Sequence, residues 1–295
     1  MILVTGAAGI VGRAIVSKLR RQGTSFVGIT RLSVASEAGD HVACDLSASP
    51  LADVVTAGPS AIIHTAAAVP HSARYPDTLE TAELTRRMDL NVFDAAQRWG
   101  SPVVYVSSCG LYDRRSPAVK REEGPLASEA ASAYFAAKRA GEERCLALAQ
   151  GIVVRISAPL GPGVPDHLVA SRFILQAMRG GAMRVFGKGT REQNYVDSSD
   201  IADALITAAA SPWHGIINIA AKQPVTMLDL AQRIAATLGG SVEMADEQDP
   251  REGETARYAI DRAAEVLKWS PAVDLEDSIR AVAEAFEAQR TGSIA

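Results

Sequence analysis

The chain has 295 residues, of which 47% are hydrophobic and 22% charged, and its formal net charge is −4 at pH 7. This composition excludes a mostly disordered chain, because enough apolar surface exists to offset ordering entropy, and the slight acidity gives no footprint for nucleic acid. Cys44, Cys109 and Cys145 are too few and too scattered for a disulfide framework or a CxxC metal site, and no apolar run approaches the roughly 18 residues of a membrane span. The expectation is a soluble, cytoplasmic protein of one large or two modest domains, with no metal, membrane or nucleic-acid partner.

In chain order, short runs at 2–5, 25–30, 61–65 and 103–107 are rich in β-branched residues and apolar on both faces, as strands buried in a parallel sheet are. Between them, 12–22 and 84–99 place apolar residues three and four apart, the spacing of helices. The alternation predicts an α/β fold, a doubly wound parallel sheet with right-handed crossovers. A helix over 132–149 and strands at 151–156 and 215–219 continue the pattern. The Gly- and Pro-dense stretch 160–166 breaks it. Helices at 227–238, 263–267 and 275–288, with a short strand near Val242, complete the chain ahead of a frayed tail at 291–295.

The first strand runs into TGAAGIVG, from Thr5 to Gly12, at the opening of a helix. Gly6 and Gly9 permit a tight turn and a close backbone approach to a pyrophosphate, and Gly12 permits close packing of helix on strand. Ile10 and Val11 open the helix whose N-terminus would face the phosphates. A dinucleotide site usually carries an acidic residue at the end of its second strand. Here Thr30 and Arg31 stand there instead. Arg31 suits the 2′-phosphate of NADP, where a carboxylate would repel it, so NADP is expected, with NAD as the alternative.

Tyr134 and Lys138 lie four apart on the predicted helix and share a face. A neighbouring ammonium is expected to lower the tyrosine pKa, fitting it to exchange a proton with a substrate oxygen. Ser107 and Ser108 end a buried strand, where a hydroxyl could bind the same oxygen.

With these motifs the chain resembles the extended short-chain dehydrogenase/reductase family, also called the NAD-dependent epimerase/dehydratase family. Asp45 and Leu46 match its adenine contact, His64, Thr65, Ala66 and Ala67 its HxAA motif, and Tyr134 to Lys138 its YxxxK pair. Its catalytic Ser/Thr falls on Ser108, followed by Cys109 and Gly110. Further matches are the turn at Gly161, Pro162 and Gly163, the segment from Arg191 to Asp197 with Asp200, the stretch 251–254 and the stretch 267–271. The resemblance implies a Rossmann domain over 1–160, to which 190–225 returns, and a smaller C-terminal α/β region for substrate over 161–189 and 226–295. It implies Ser108, Tyr134 and Lys138 as catalytic residues, Thr65, Ala66, Ala67 and Ser107 beside the cofactor, and Ala158, Arg191 and Arg251 beside the substrate. A homodimer through a four-helix bundle is a further implication.

Departures from the pattern sharpen the expectation. Cys109 and Gly110 stand where the dehydratases carry the Asp and Glu that eliminate water, so sugar dehydration is not expected. Ala158 replaces an asparagine of many nucleotide-sugar members, and Thr85 and Asp89 replace the Asn and Thr of the N-V-x-G-T helix motif. His64 is read as a structural residue near the cofactor, His71 as a solvated loop residue, Cys109 as lining the pocket, and 120–123 as a solvated charge run. The expected function is hydride transfer at a hydroxyl-bearing sugar carbon of a nucleotide sugar, as an epimerase or a reductase. Two alternatives stay open: a non-nucleotide substrate (a uronate, lactone or small ketone) and a non-catalytic cofactor sensor.

Overall fold

The computed structural model describes residues 1–31, 40–70, 76–128 and 132–292, so the expectation for His71 lies outside the described residues. The first part of the chain folds as β1 (Ile2–Thr5), α1 (Ile10–Arg21), β2 (Phe26–Thr30), β3 (His41–Ala43), α2 (Leu51–Val54), β4 (Ala61–His64), α3 (Leu79–Trp99) and β5 (Val103–Ser108). A 3-10 turn at Cys109–Leu111 leads to α4 (Ala133–Leu146), β6 (Gly151–Ile156), β7 (Ala158–Leu160), α5 (Val169–Met178) and β8 (Ala182–Val185). Then come β9 (Glu192–Gln193), β10 (Tyr195–Asp197), α6 (Ser198–Ala209), β11 (Gly215–Ile219), β12 (Val225–Thr226), α7 (Met227–Leu238), β13 (Ser241–Met244), α8 (Asp261–Leu267) and α9 (Leu275–Thr291).

Seven strands form one parallel sheet in the order β11-β6-β5-β4-β1-β2-β3, the Rossmann arrangement that the strand–helix alternation predicts. The order reverses between β1 and β4, where Thr5 is the register partner of both Ile29 and His64. Connections leave in opposite directions there and open a crevice at the carboxyl ends of the strands. Every motif picked out in the first half of the sequence ends at that edge.

Three apolar clusters hold the layers. One face of the sheet packs against α1, α6 and α8 through Ile15, Leu19, Ile201, Leu205, Ala263 and Leu267. The other packs against α2 and α3 through Leu51, Val92, Phe93 and Ala96. A third cluster joins α5, β8, α7 and α9 through Phe173, Ile174, Val185, Leu230, Ile234, Ile279 and Phe286. From 196–219 the first cluster takes Val196, Ile201, Leu205, Ile217 and Ile219 among others, and from the 226–295 stretch Ala263, Leu267 and Trp269. Asp200 ties that return down, because its carbonyl accepts from Trp269 Nε1 at 2.9 Å and its carboxylate from the amides of Ala272 and Val273.

α5, α6 and β8 are not among the elements expected from the sequence. Among the described residues, no helix is long and apolar enough to cross a membrane.

Candidate active site

Gly6 has φ +67°, and a Cβ there would stand 2.7 Å from Thr65 Oγ1 and 2.8 Å from the Ala66 amide. A Cβ at Gly12 would stand 2.2 Å from the Gly6 carbonyl, so backbone alone fits where α1 crosses the turn. Gly9 caps α1 with no side-chain hydrogen bond, and the first turn holds no acidic residue. Val11 and Gly12 are buried and Ile10 half-buried, while the positive end of the helix faces the crevice with its amides unclaimed by a side chain. That cradle suits an anion such as a pyrophosphate.

The flank of the crevice is held by β4 and the loops after it. Thr65 donates to the Thr5 carbonyl at 2.7 Å, and the Ala68 amide donates to Thr85 Oγ1 at 3.1 Å. Ala66 and Ala67 are half-buried between these ties. Asp45 closes an Asx turn on Ser47, and Asn91 Nδ2 donates to the Leu46 carbonyl at 3.1 Å. Asn91, not singled out from the sequence, is thus what anchors the Asp45–Leu46 segment to α3. Thr30 is buried and Arg31 exposed at the end of β2.

α4 begins at Ser132, whose hydroxyl accepts from the Phe135 amide, and Asp77 accepts from the Tyr134 amide at 3.0 Å. Its buried face is Tyr134, Ala137, Lys138, Gly141, Glu142 and Cys145, a helical stripe in which half the members are polar or charged. A Cβ on Gly141 would stand 2.2 Å from the Tyr105 hydroxyl and 2.5 Å from Asp89 Oδ2, so this glycine lets α3 and β5 bring polar groups against α4. Phe135 lies where a Cβ on Gly110 would be, 2.4 Å from its ring, which seats the start of α4 on the turn after Ser108. Ser108 Oγ accepts from the Gly110 amide at 3.0 Å and is half-buried.

The Tyr134 hydroxyl has no hydrogen-bond partner among the described residues, although the residue is only 9% exposed. Burial first, and then the charge of Asp89, push its pKa up rather than toward neutrality, so the expected activation by Lys138 is corrected: the resting group is a phenol. Burial also lowers the Lys138 pKa.

Ser107 does not face the crevice. Its hydroxyl donates to Glu142 Oε1 at 2.5 Å, and Glu142 accepts two further bonds from Arg155 at 2.9 and 2.6 Å. Arg155 also donates to the Tyr112 hydroxyl and the Glu122 carbonyl. Two expectations are corrected here. Glu122 and Lys120 are buried, since the backbone of Lys120 bridges Tyr258 and its ammonium donates to Ser116 and Thr255; only Arg121 and Glu123 of that charge run are exposed. Cys109 does not line the pocket, because its thiol donates to the Arg155 carbonyl at 3.2 Å and burial pushes its pKa far up.

His64 is fully buried between Thr5 Oγ1 at 2.6 Å and Asp89 Oδ1 at 3.0 Å. Burial lowers its pKa despite Asp89, so the folded protein holds it neutral. The unfolded chain takes up that proton near pH 6.5, so stability should fall as pH drops below that value, by about 1.4 kcal/mol per unit for one group until the lower folded pKa is reached. Urea unfolding between pH 7.5 and 5.5 should show a shallower loss in His64→Gln than in the parent.

On the far side of the crevice, Arg191 donates to Asp249 at 2.6 Å and Arg251 donates twice to Glu254 at 2.9 and 2.7 Å. Arg114, not singled out from the sequence, adds a third guanidinium: its Nη2 donates to the Glu192 carbonyl at 2.5 Å, and its Nε lies 3.4 Å from Glu254 with no hydrogen bond. Arg114, Arg191 and Arg251 thus interleave with Asp249 and Glu254, and Glu252 lies within charge range of Asp249. Beside Arg191 a cavity of about 250 Å³ is lined by Arg172, Phe173, Arg184 and Phe186, a residue 46% exposed. Ala158 sits half-buried on β7, paired with Tyr195.

A Rossmann sheet with a glycine turn at its switch point and a Tyr134/Lys138 helix beside it defines a dinucleotide-binding α/β protein. Residues 2–220 match the NAD dependent epimerase/dehydratase family, and the chain belongs to that family, the extended short-chain dehydrogenases/reductases. It is 29% identical to UDP-glucose 4-epimerase of Mycolicibacterium smegmatis over 96% of this chain and 97% of that protein. It is 26% identical to UDP-glucuronic acid decarboxylase 3 of Arabidopsis thaliana, over 97% and 88% respectively. The structure of UDP-N-acetylglucosamine 4-epimerase from Methanobrevibacter ruminantium M1, in complex with UDP-N-acetylmuramic acid, superposes with a TM-score of 0.87 at 20% identity, covering 98% of both chains. UDP-glucuronic acid 4-epimerase from Bacillus cereus, in complex with UDP-glucuronic acid and NAD, gives 0.81 at 20% identity over 98% and 99%. At these identities the structural likeness establishes the fold.

Proposed function

We propose that the chain is a nicotinamide-dependent enzyme that moves a hydride at a hydroxyl-bearing carbon of a nucleotide sugar, with 4-epimerisation as its net reaction. The observation that carries this reading is the Tyr134 phenol, 9% exposed and without a hydrogen-bond partner among the described residues, one helical turn from Lys138 on a helix whose Phe135 packs on the turn after Ser108. The full-length match to a UDP-glucose 4-epimerase supports the substrate class.

The cradle of Gly6, Gly9, Ile10, Val11 and Gly12 fits a dinucleotide pyrophosphate, with Asp45 and Leu46 toward the adenine and Thr65, Ala66 and Ala67 along the crevice. The bound nicotinamide supplies the hydride acceptor and donor. Ser108 binds the reacting oxygen, Tyr134 gives it a proton or takes one from it, and Lys138 supplies the positive charge that stabilises the phenolate. Burial keeps Tyr134 a phenol in the chain without cofactor, so removal of a hydroxyl proton should quicken as pH rises. Ser107 contributes no hydroxyl, since Glu142 holds it.

Arg191 and Arg251, with Arg114 behind them, receive the substrate diphosphate, and the cavity beside Arg191 offers Phe186 as a stacking surface for the base. Elimination of water is not part of the reaction: a side chain at position 110 would collide with Phe135, and the Cys109 thiol is bonded away from the crevice. A substrate without a diphosphate is the second reading, favoured by the ion pairs that Arg191 and Arg251 already make.

Calorimetric titration with UDP separates the two. The parent should bind UDP, and replacing Arg191 and Arg251 together by Ala should weaken it about 100-fold, at about 1.4 kcal/mol for each factor of ten. Absence of UDP binding by the parent would overturn the nucleotide-sugar reading. We assign the cofactor as NADP on Arg31, although the Bacillus cereus neighbour is described with NAD. Arg31→Ala should weaken NADP at least tenfold more than NAD; equal effects on both would place the preference elsewhere.

A further inference from the structure

Beneath Tyr134, the elements α3, α4, β4 and β5 close on a chain of polar side chains. Thr5, His64, Asp89, Tyr105 and Lys138 are each no more than 2% exposed. The donors fix its direction. Thr5 Oγ1 accepts from the Ala66 amide at 3.3 Å and lies 2.6 Å from His64 Nδ1; with His64 neutral and Asp89 ionised, Nε2–H donates to Asp89 Oδ1 at 3.0 Å, which leaves Nδ1 to accept the Thr5 hydroxyl. The Tyr105 hydroxyl donates to the other oxygen of Asp89 at 2.6 Å. Both oxygens of Asp89 therefore accept, as a carboxylate does.

Neither donor brings a charge. His64 is held neutral by burial, and burial followed by Asp89 pushes the Tyr105 phenol well up, keeping it protonated. A buried anion held only by neutral donors needs a counter-charge, because an uncompensated charge in the interior is costly. Lys138 Nζ lies 4.0 Å above the centre of the Tyr105 ring whose hydroxyl holds Asp89. The groups around Lys138 are Asp89 on α3, His64 on β4, Tyr105 on β5, and Tyr134, Glu142 and Cys145 on its own helix. Glu142, the other carboxylate, is already matched by the bidentate guanidinium of Arg155. Charge balance leaves Lys138 for Asp89.

We propose that Asp89 is the positioning residue for Lys138: its carboxylate, tied to β4 through His64 and to β5 through Tyr105, keeps the lysine ammonium charged and fixed inside the site. Burial lowers the Lys138 pKa, and Asp89 is the first of the charges that raise it again. The catalytic consequence rests on the reading of Lys138 as the partner of Tyr134. The test does not, because it needs no substrate.

In protein labelled with 13C-lysine, the Cε resonance of Lys138, assigned by its loss in Lys138→Arg, reports the ionisation directly. Its midpoint should fall by about 1–3 pH units in Asp89→Asn, the shift expected on losing an opposite charge within reach. It should move far less in Tyr105→Phe, which removes a hydrogen bond and keeps the ring and the charge. An unmoved midpoint in Asp89→Asn would overturn the proposal. Should Asp89→Asn alone fail to fold, the double variant with Lys138→Met supplies the answer by urea unfolding. Coupling between the two sites should make the double variant more stable than Lys138→Met alone; a double variant less stable than Lys138→Met would contradict the pairing. If the protein proves to be an active epimerase, the alkaline limb of its kcat profile should move down with the same midpoint.

Discussion

Tyr134→Phe should lower kcat by about 10²- to 10⁴-fold, the usual contribution of a positioned general acid/base, and leave cofactor affinity within a few-fold of the parent. The reason is local. Tyr134 sits on the buried face of α4 with no hydrogen-bond partner for its hydroxyl among the described residues, so removing that oxygen disturbs no bond to them. The backbone bond from the Tyr134 amide to Asp77 and the Ser132 cap survive the change, and so does the helix start. Steady-state rates together with a fluorescence titration of the cofactor separate the two effects. Equal losses in rate and cofactor affinity would mean that the residue shapes the crevice and does not transfer a proton, and a cofactor sensor would keep its ligand response intact.

The largest effect on stability should come from Arg155→Met, at about 3–5 kcal/mol. Arg155 and Glu142 are both 3% exposed, and the guanidinium makes four hydrogen bonds that join β6 to α4, to Tyr112 and to the Glu122 carbonyl. Tyr112 carries the network on to Asn218 of β11, and the guanidinium also lies over its ring, 4.9 Å from the centre. Methionine fills the space and leaves Glu142 as a buried anion held only by Ser107. Adding Glu142→Leu should therefore recover part of the loss, because removing both charges costs less than removing one. Urea unfolding of the two singles and the double measures this, and a loss under about 1 kcal/mol for Arg155→Met would show that water reaches the pair.

The parallel sheet, the glycine turn and the Tyr134–Lys138 helix were legible in the sequence because their physics is local. A strand buried on both faces reads as a β-branched run, a glycine turn reads as spaced glycines, and the Tyr134–Lys138 spacing is one helical turn. The supports beneath the site were not legible, because they join residues far apart in the chain. Asp89 meets His64 and Tyr105 from α3, Arg155 meets Glu142 and Tyr112, and Lys120 is buried because its backbone pairs with Tyr258. Charge along the sequence marks 120–123 as a solvated run, and only the tertiary pairing shows which of its side chains turn inward. Asp89 did leave a signal, as a carboxylate at the family's threonine position, although the sequence does not tell what it binds. Arg114 left none, since nothing nearby in the chain points toward Glu254.

Hydride transfer between the nicotinamide and a nucleotide-sugar carbon, with Tyr134 exchanging the proton, is tested most directly by one experiment. UDP-glucose, and in parallel UDP-glucuronic acid, is incubated with the protein and NADP, and separately with NAD, while the anomeric proton signals are followed by NMR. The account predicts growth of the UDP-galactose signal with the parent and none with Tyr134→Phe. UDP-glucose and UDP-glucuronic acid both left unchanged by a folded, cofactor-loaded protein would contradict it.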